Sequence, residues 1–480
     1  MKRIANYING AYCEPHNGLY LPVYDPSRGQ VYAEAPDSDE ADVAQAYAAA
    51  KAAFPAWSAT SVDERFMIMN RIAELITDRL DDLAAAESLD NGKPLWLARK
   101  VDIPRAATNF RFFAQAITQF ASATHDMGAS GFNYTLRQPL GVVACISPWN
   151  LPLYLFSWKI APAIAAGNTV IAKPSEVTPM TAYLLGEICQ EAGLPAGVLN
   201  ILHGYGHRLG NALTSHPGVK AISFTGSTRT GATIAREVAP KFKKLSLELG
   251  GKNPNIIFAD CEYEKALNTT VRSSFANQGQ ICLCGSRVFI EASIYEQFKA
   301  DFVAKVKELK VGPPEAADTK VGAVVSEPHF QKIMSYIQLA QEEGGTILCG
   351  SQAKQLAGEY AKGWYVEPTV IEGLPHDCRT NQEEIFGPVV TIMPFKDEQE
   401  VLTYANSTEY GLSATLWTQH LDRAHRMARN LEAGIVWINT WLRRDLRTPF
   451  GGVKNSGVGR EGGWEALRFF TEPKNICVEL

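Results

Sequence analysis

From Gly141 onward, short apolar β-rich runs alternate with helical stretches, and this alternation limits the fold more than any other feature of the sequence. Strands are expected at 142–147, 169–172, 198–202 and 221–224, with helices near 153–166, 179–193 and 207–215 between them. Apolar strands separated by helices predict a parallel sheet covered on both faces, with ligands at the carboxyl ends of its strands. A second series starts near Asn255, with strands at 255–258, 287–291, 346–348, 389–395 and 435–439 and helices near 294–309, 329–343, 397–405 and 421–431. The chain is therefore read as α/β with two parallel-sheet domains. Residues 132–137 and 475–480 read as short strands that fit neither sheet, and they are expected to pair with another subunit or to bridge the domains.

The first part reads differently. Asn9-Gly10 between short apolar runs signals a type I′ hairpin. An Ala-rich helix over 44–54 is expected to stop at Pro55, and Ser61-x-x-Glu64 is a capping box that opens a long helix toward Ser88. A third helix, from about 104 to 121, carries Ala106, Phe110, Phe113 and Ile117 as an apolar stripe. With 480 residues, 46% of them apolar, the chain can bury a large core. Its net charge of −5 argues against nucleic acid as a partner. The nine cysteines form no CxxC pair and no metal-ligand spacing, so neither a disulfide framework nor a metal site is expected. No apolar stretch follows Lys2-Arg3, so a cytoplasmic location is expected rather than secretion. The apolar run 141–172 is interrupted by Pro148, Asn150, Pro152, Lys159 and Pro162, which makes it core rather than a membrane span.

The strongest chemical signal is Phe275-Ala276-Asn277-Gln278-Gly279-Gln280-Ile281-Cys282. Around it stand Glu248-Leu249-Gly250-Gly251-Lys252, Ser147-Pro148-Trp149-Asn150, Phe224-Thr225-Gly226-Ser227 with Gly231, Lys173-Pro174-Ser175-Glu176, and Glu383-Glu384-Ile385-Phe386-Gly387-Pro388. In this order and at these separations they resemble the aldehyde dehydrogenase superfamily over essentially the whole chain. The resemblance implies two Rossmann-like domains: an NAD-binding one from 1–120 and 140–250 and a catalytic one from 251–450. The segments 121–139 and 467–480 are then oligomerisation strands of a homodimer or homotetramer.

A bare aldehyde is a poor hydride donor, and addition of a thiolate makes a tetrahedral thiohemiacetal that expels hydride readily. Cys282 follows a glycine-containing turn that can present a thiol to a cleft. Cys284 has the same local composition, and only the resemblance selects Cys282. Glu248, between two leucines, is set to have a raised pKa that suits a general base for thioester hydrolysis. Relatives that pass the acyl group to coenzyme A typically lack this acid. The Asn150 amide and the Cys282 backbone N–H are the expected oxyanion donors, and Lys159 resembles a family lysine tied to proton relay.

The family version of the cofactor site rests phosphates on the helix that follows Phe224, Gly226, Ser227 and Gly231. Gly206, in Gly204-Tyr205-Gly206, is a weak nucleotide signal by itself. The resemblance adds Lys173, Ser175 and Glu176 at the adenine ribose, Glu384 at the nicotinamide ribose, Phe386 beside the nicotinamide, and Trp149 and Leu249 as packing. A carboxylate at Glu176 accepts a 2′-hydroxyl and repels a 2′-phosphate, which favours NAD.

The family's aldehyde tunnel maps onto Arg105, Leu151, Trp158, Ile281, Leu283, Trp441, Leu442, Arg444 and Phe450. Two arginines suit a substrate with a carboxylate remote from the aldehyde, since a guanidinium grips a carboxylate as a bidentate fork. Arg111 is rotated by roughly 240° from Arg105 on an ideal helix, so the two are not expected to point the same way, and the resemblance, in which arginine is common at that position, implies a structural role for Arg111. Together with Cys282-Leu283-Cys284-Gly285-Ser286-Arg287, the arginine loop looks most like the 2-aminomuconate and 2-hydroxymuconate semialdehyde dehydrogenases, acting in tryptophan or aromatic catabolism. The opposing possibility is that the arginines pair with Asp445. Other readings are a neutral or cationic, betaine-aldehyde-like substrate, or a catalytically silent binding protein.

Overall fold

The computed structural model describes residues 2–480. Its first sheet runs in the order Gly457–Val458, Lys244–Glu248, Ala221–Thr225, Val142–Ile146, Thr169–Lys173, Leu199–Ile201, Asn6–Ile8 and Ala11–Cys13. The five strands from Lys244–Glu248 to Leu199–Ile201 are mutually parallel. All residues of Val142–Ile146 and Thr169–Lys173 are buried, as strands covered on both faces must be. The chain leaves Val142–Ile146 to build one flank through Thr169–Lys173 and the other through Ala221–Thr225, so the sheet reverses order there. Ligand crevices lie outside the carboxyl ends of strands at such a reversal.

The second sheet has the order Thr346–Cys349, Thr369–Glu372, Val389–Phe395, Arg287–Glu291, Pro254–Ile257, Ser413–Trp417 and Ile435–Ile438. Only Thr346–Cys349 is antiparallel to its neighbour. Strands Lys244–Glu248, Thr369–Glu372 and Ser413–Trp417 and the helix Tyr263–Phe275 are additions to the sequence reading. The two unplaced strands pair with one another along their length, Phe132 opposite Val478 and Pro139 opposite Thr471, in a third sheet completed by Thr124–Asp126. No helix among the described residues is long and apolar enough to cross a membrane.

Local rules hold with two exceptions. The hairpin forms, with Asn9 and Gly10 both at positive φ. The first helix does not stop at Pro55: it spans Glu40–Ser58 with Pro55 inside, on the solvent side. An Asp39–Asp42 capping box starts it early, and a proline in the last turn forfeits one hydrogen bond only, that to the exposed Lys51. The long helix expected toward Ser88 is two helices, Val62–Asp78 and Leu80–Asn91, broken at Arg79. Ser61 caps the first of them through the Glu64 N–H.

One buried cluster anchors the N-terminal helices to the site. Lys93 is fully buried; its ammonium pairs with Asp102, lies 4.0 Å from Glu87 and donates to the Asn150 carbonyl at 3.2 Å. Burial lifts the Glu87 carboxyl to about 8, and Glu87 accepts the Leu153 N–H at 3.2 Å. Removing one partner of a buried ion cluster leaves the others uncompensated. Lys93→Met is expected to lower stability by about 3–5 kcal/mol in urea denaturation; a loss below about 1 kcal/mol would show that the cluster does not hold this region.

Candidate active site

The two sheets meet end to end. From the first sheet, loops at the carboxyl ends of strands bring Trp149 and Asn150, Lys173 to Glu176, Gly226 and Ser227, and Glu248. From the second, the segments that lead into strands bring Cys282 ahead of Arg287–Glu291 and Glu384 and Phe386 ahead of Val389–Phe395. The segment Phe450–Glu461 crosses back to the first sheet: Gly457 pairs with Glu248, and Phe450 and Glu461 exchange two backbone hydrogen bonds of 2.7 Å.

Cys282 lies on a cavity of about 530 Å³ whose wall includes Leu151, Tyr154, Glu248, Ile281, Leu283 and Trp441. Leu249, Leu442, Arg444, Phe450 and Glu461 also line it. Cys284 is buried in an apolar cluster, so geometry separates the two thiols where composition does not. Its loop contains two consecutive left-handed residues, Asn277 (φ 51°) and Gln278 (φ 57°). They are held from outside the loop. Asn277 Nδ2 donates to the Asn150 carbonyl at 2.9 Å, Gln278 Nε2 to Ala323 at 3.1 Å, and Asn253 Nδ2 to the carbonyls of Cys282 and Cys284 at 2.7 and 2.9 Å. Asn253 was not singled out in the sequence.

Among the described residues the Cys282 N–H finds no hydrogen-bond acceptor, which leaves it free to donate. Asn150 is buried, and its side-chain amide donates to the Gln280 carbonyl at 3.0 Å. One of its two N–H groups is thus committed, and only the other is open to substrate.

Glu248 is the last residue of a parallel strand and is buried, with neither carboxylate oxygen hydrogen-bonded. Burial, then the nearby Glu461 charge, hold its pKa well above the ordinary carboxylate range, against the opposing charges of Lys159, Arg460 and Arg444. A Cβ on Gly451 would sit 2.8 Å from its Oε1, so glycine keeps that space open. Lys159 is buried and donates to Glu461 Oε1 at 2.7 Å and to Ser223 Oγ at 3.2 Å. Glu461, missed in the sequence, thus joins Lys159 to the cavity.

The residues expected at a dinucleotide have a suitable donor set. Lys173 Nζ donates to Glu176 Oε2 at 3.0 Å, and Glu176 Oε1 accepts the Gly206 N–H at 3.4 Å. Burial by itself would raise Glu176, but Lys173 and these hydrogen bonds hold it below the usual range. Ser175 is turned inward and accepts the Val177 N–H at 3.2 Å. Ser227 caps the helix Thr228–Val238, whose free N-terminal amides suit a phosphate. Gly226 lies against the Phe224 ring, where a Cβ would approach to 2.4 Å, and a Cβ on Gly231 would approach Leu249 to 2.6 Å. Glu384 Oε1 accepts the Gly251 N–H at 2.9 Å, and Gly250 leaves space beside its other oxygen. Phe386, at φ 63°, meets the Trp149 ring edge-on at 5.3 Å. His329, unforeseen, packs on Trp149 and donates from Nε2 to the Phe386 carbonyl at 2.7 Å.

Three substrate-side expectations need correction. Trp158 is not on the cavity wall; it lies beneath the Arg444 guanidinium, 5.0 Å from it, and against Phe113. Arg105 does not reach the Cys282 cavity either. It stacks at 5.3 Å on Tyr154, which does, and lines an adjoining groove. Arg111 lines that same groove. A rotation of roughly 240° one way is 120° the other, and Thr108 stands midway between the two arginines on the ideal helix.

The opposing possibility, a pairing of Arg105 or Arg444 with Asp445, does not occur, because Asp445 is bound to Arg447 at 2.6 Å. Arg444 Nη1 donates to Tyr154 Oη at 3.3 Å, its guanidinium lies 3.9 Å from the Phe450 ring, and its Nη2 is buried with no partner.

Known proteins share this arrangement. The family described as "Aldehyde dehydrogenase family" matches residues 12–476. The chain is 50% identical over 479 residues to the 2-aminomuconic semialdehyde dehydrogenase of Danio rerio, covering 99% of this chain and 98% of that one. It is 47% identical over 486 residues to a Pseudomonas 2-hydroxymuconic semialdehyde dehydrogenase, with 100% of both chains covered. An aldehyde dehydrogenase from Bacillus cereus, solved as its NAD+ complex, superposes with a TM-score of 0.97 at 37% identity, covering 100% of this chain and 97% of that one.

Burial, followed by the charges of Glu384 and Glu248, raises the Cys282 thiol above its ordinary value, with Arg444 opposing. In the cofactor-free protein, alkylation of Cys282 by iodoacetamide is therefore expected to keep accelerating beyond pH 9. Peptide mass spectrometry reads it, and a plateau near pH 7 would contradict the resting thiol.

Proposed function

The chain belongs to the aldehyde dehydrogenase family, as an NAD-dependent enzyme, and from that premise we propose that it oxidises a semialdehyde carrying a remote carboxylate to the corresponding acid. The substrate is of the 2-aminomuconate or 2-hydroxymuconate type, the class that names its relatives. One observation carries the choice: a guanidinium nitrogen of Arg444 is buried beside the Cys282 cavity without a partner. A buried unpaired donor is costly, and a substrate carboxylate satisfies it. A cationic aldehyde would meet that charge without compensation.

The Cys282 thiol loses its proton to solvent as Sγ adds to the aldehyde carbon to give a thiohemiacetal. The Cys282 N–H and the free N–H of Asn150 receive the developing oxyanion. Bound NAD supplies the hydride acceptor. Lys173 and Glu176 hold the adenine ribose, Glu384 the other ribose, and the Thr228–Val238 helix the phosphates. Glu248 then removes a proton from the water that attacks the thioester; the C–S bond breaks, and the thiol is restored. Lys159 and Glu461 lie behind Glu248 and lead its proton away. In this reading 1–120 with 140–250 bind the cofactor and 251–450 carry the nucleophile. The paired strands within 121–139 and 467–480 join subunits of a cytoplasmic homo-oligomer.

Glu248→Gln is expected to lower kcat by about 10²–10⁴-fold and to leave an acyl adduct on Cys282, visible in the intact mass after one turnover. Full turnover with no adduct would remove Glu248 from hydrolysis. Arg444→Ala is expected to raise KM for a carboxylated semialdehyde about tenfold or more, as the loss of a charged hydrogen bond worth about 1.5–3 kcal/mol requires. An unchanged KM, with neutral aldehydes of equal length turned over as well, would defeat the anionic substrate.

A further inference from the structure

The groove beside the catalytic cavity has a volume of about 890 Å³ and shares Arg444 and Phe450 with it. Its wall carries four arginines: Arg105, Arg111, Arg443 and Arg444. Among the described residues, none of the four forms an ion pair. The one acid on the same wall, Asp445, is already neutralised by Arg447. The backbone at Arg443 is fixed by a 2.9 Å hydrogen bond from Trp437 Nε1 to its carbonyl. This concentration of uncompensated positive charge stands on a chain whose net charge is −5, which by itself would repel an anion.

We propose that this groove is an anion-gathering vestibule, in which Arg111 and Arg443 draw the carboxylated semialdehyde to Arg105 and Arg444 before it enters the Cys282 cavity. The inference rests on the anionic-substrate reading and adds two specificity-determining residues to it. A concave, low-dielectric surface of one sign focuses its field outward and raises the local concentration of the opposite charge. Arg443 is exposed at the rim and Arg111 half-buried, while Arg444 reaches the inner wall. The charge is therefore graded along the path from solvent to the nucleophile. Asp445 is turned aside by Arg447 and leaves that path clear for a carboxylate.

A second cationic set, Lys100, Arg272 and Lys320, lines the catalytic cavity but not the groove and is the rival source of attraction for an anion. The test separates the two. Values of kcat/KM for a carboxylated semialdehyde and for a neutral aldehyde of the same length are measured against ionic strength in the wild type, in R111Q/R443Q and in K100Q/K320Q. The expected result is a steep fall with salt for the anion only, and in R111Q/R443Q a loss of about tenfold at low salt with a flattened slope. K100Q/K320Q should keep the wild-type slope. Flattening in K100Q/K320Q instead, or an undiminished slope in R111Q/R443Q, would overturn the vestibule. Sedimentation velocity accompanies each variant, and a change of oligomeric mass in R111Q/R443Q would reassign the arginines to a subunit contact and likewise overturn it. Failure here, with the KM effect of Arg444→Ala intact, would leave the anionic-substrate reading standing.

Discussion

Cys282 is held in place by amides from several parts of the chain. Asn277 and Gln278 adopt a left-handed backbone that costs roughly 1–2 kcal/mol for each ordinary residue. Asn253, at the start of a second-sheet strand, grips the carbonyls on either side of Leu283, and Asn150, after a first-sheet strand, accepts from Asn277. The Cys282 loop is thus a product of the junction between the sheets. The free Cys282 N–H, the committed half of the Asn150 amide and the opening toward the cavity all follow from that grip.

Around this loop burial disfavours the charged forms of the titratable groups. Burial raises both the Cys282 thiol and the Glu248 carboxyl; the Glu384 and Glu248 charges further raise the thiol, and the Glu461 charge further raises Glu248. Arg444 is a shared opposing charge in both environments. A carboxylate seated on Arg444 would weaken that opposition, so the contact proposed for the substrate would also bear on the acidity of Cys282 and Glu248.

Much of this was legible because its causes are local. The hairpin follows from Asn9-Gly10, the parallel strands from their apolar runs, and the approach to Cys282 from a glycine turn. What escaped notice depends on contacts across the chain. The strand Lys244–Glu248 holds two polar-flanked leucines and looks like a loop until its parallel neighbour buries it. The helix Tyr263–Phe275 carries an apolar stripe at Leu267, Val271 and Phe275 that was there to be found. Glu461 gives no local sign, since only the crossing segment brings it to Lys159. Pro55 misled because a proline rule for helix interiors was applied to a last turn. Arg105 and Arg111 share a groove because a rotation of roughly 240° one way round the helix is 120° the other.

The crossing segment has an implication for how the protein is made. Gly457 and Val458 add an edge strand to a sheet whose other members were all synthesised before residue 249, and Glu461 arrives with them. During translation both sheets can take shape while the nascent chain still lacks its buried counter-ion for Lys159. The last few dozen residues thus act as a clasp, and a ribosome that stalls just short of them would release a body whose buried Lys159 lacks its carboxylate partner.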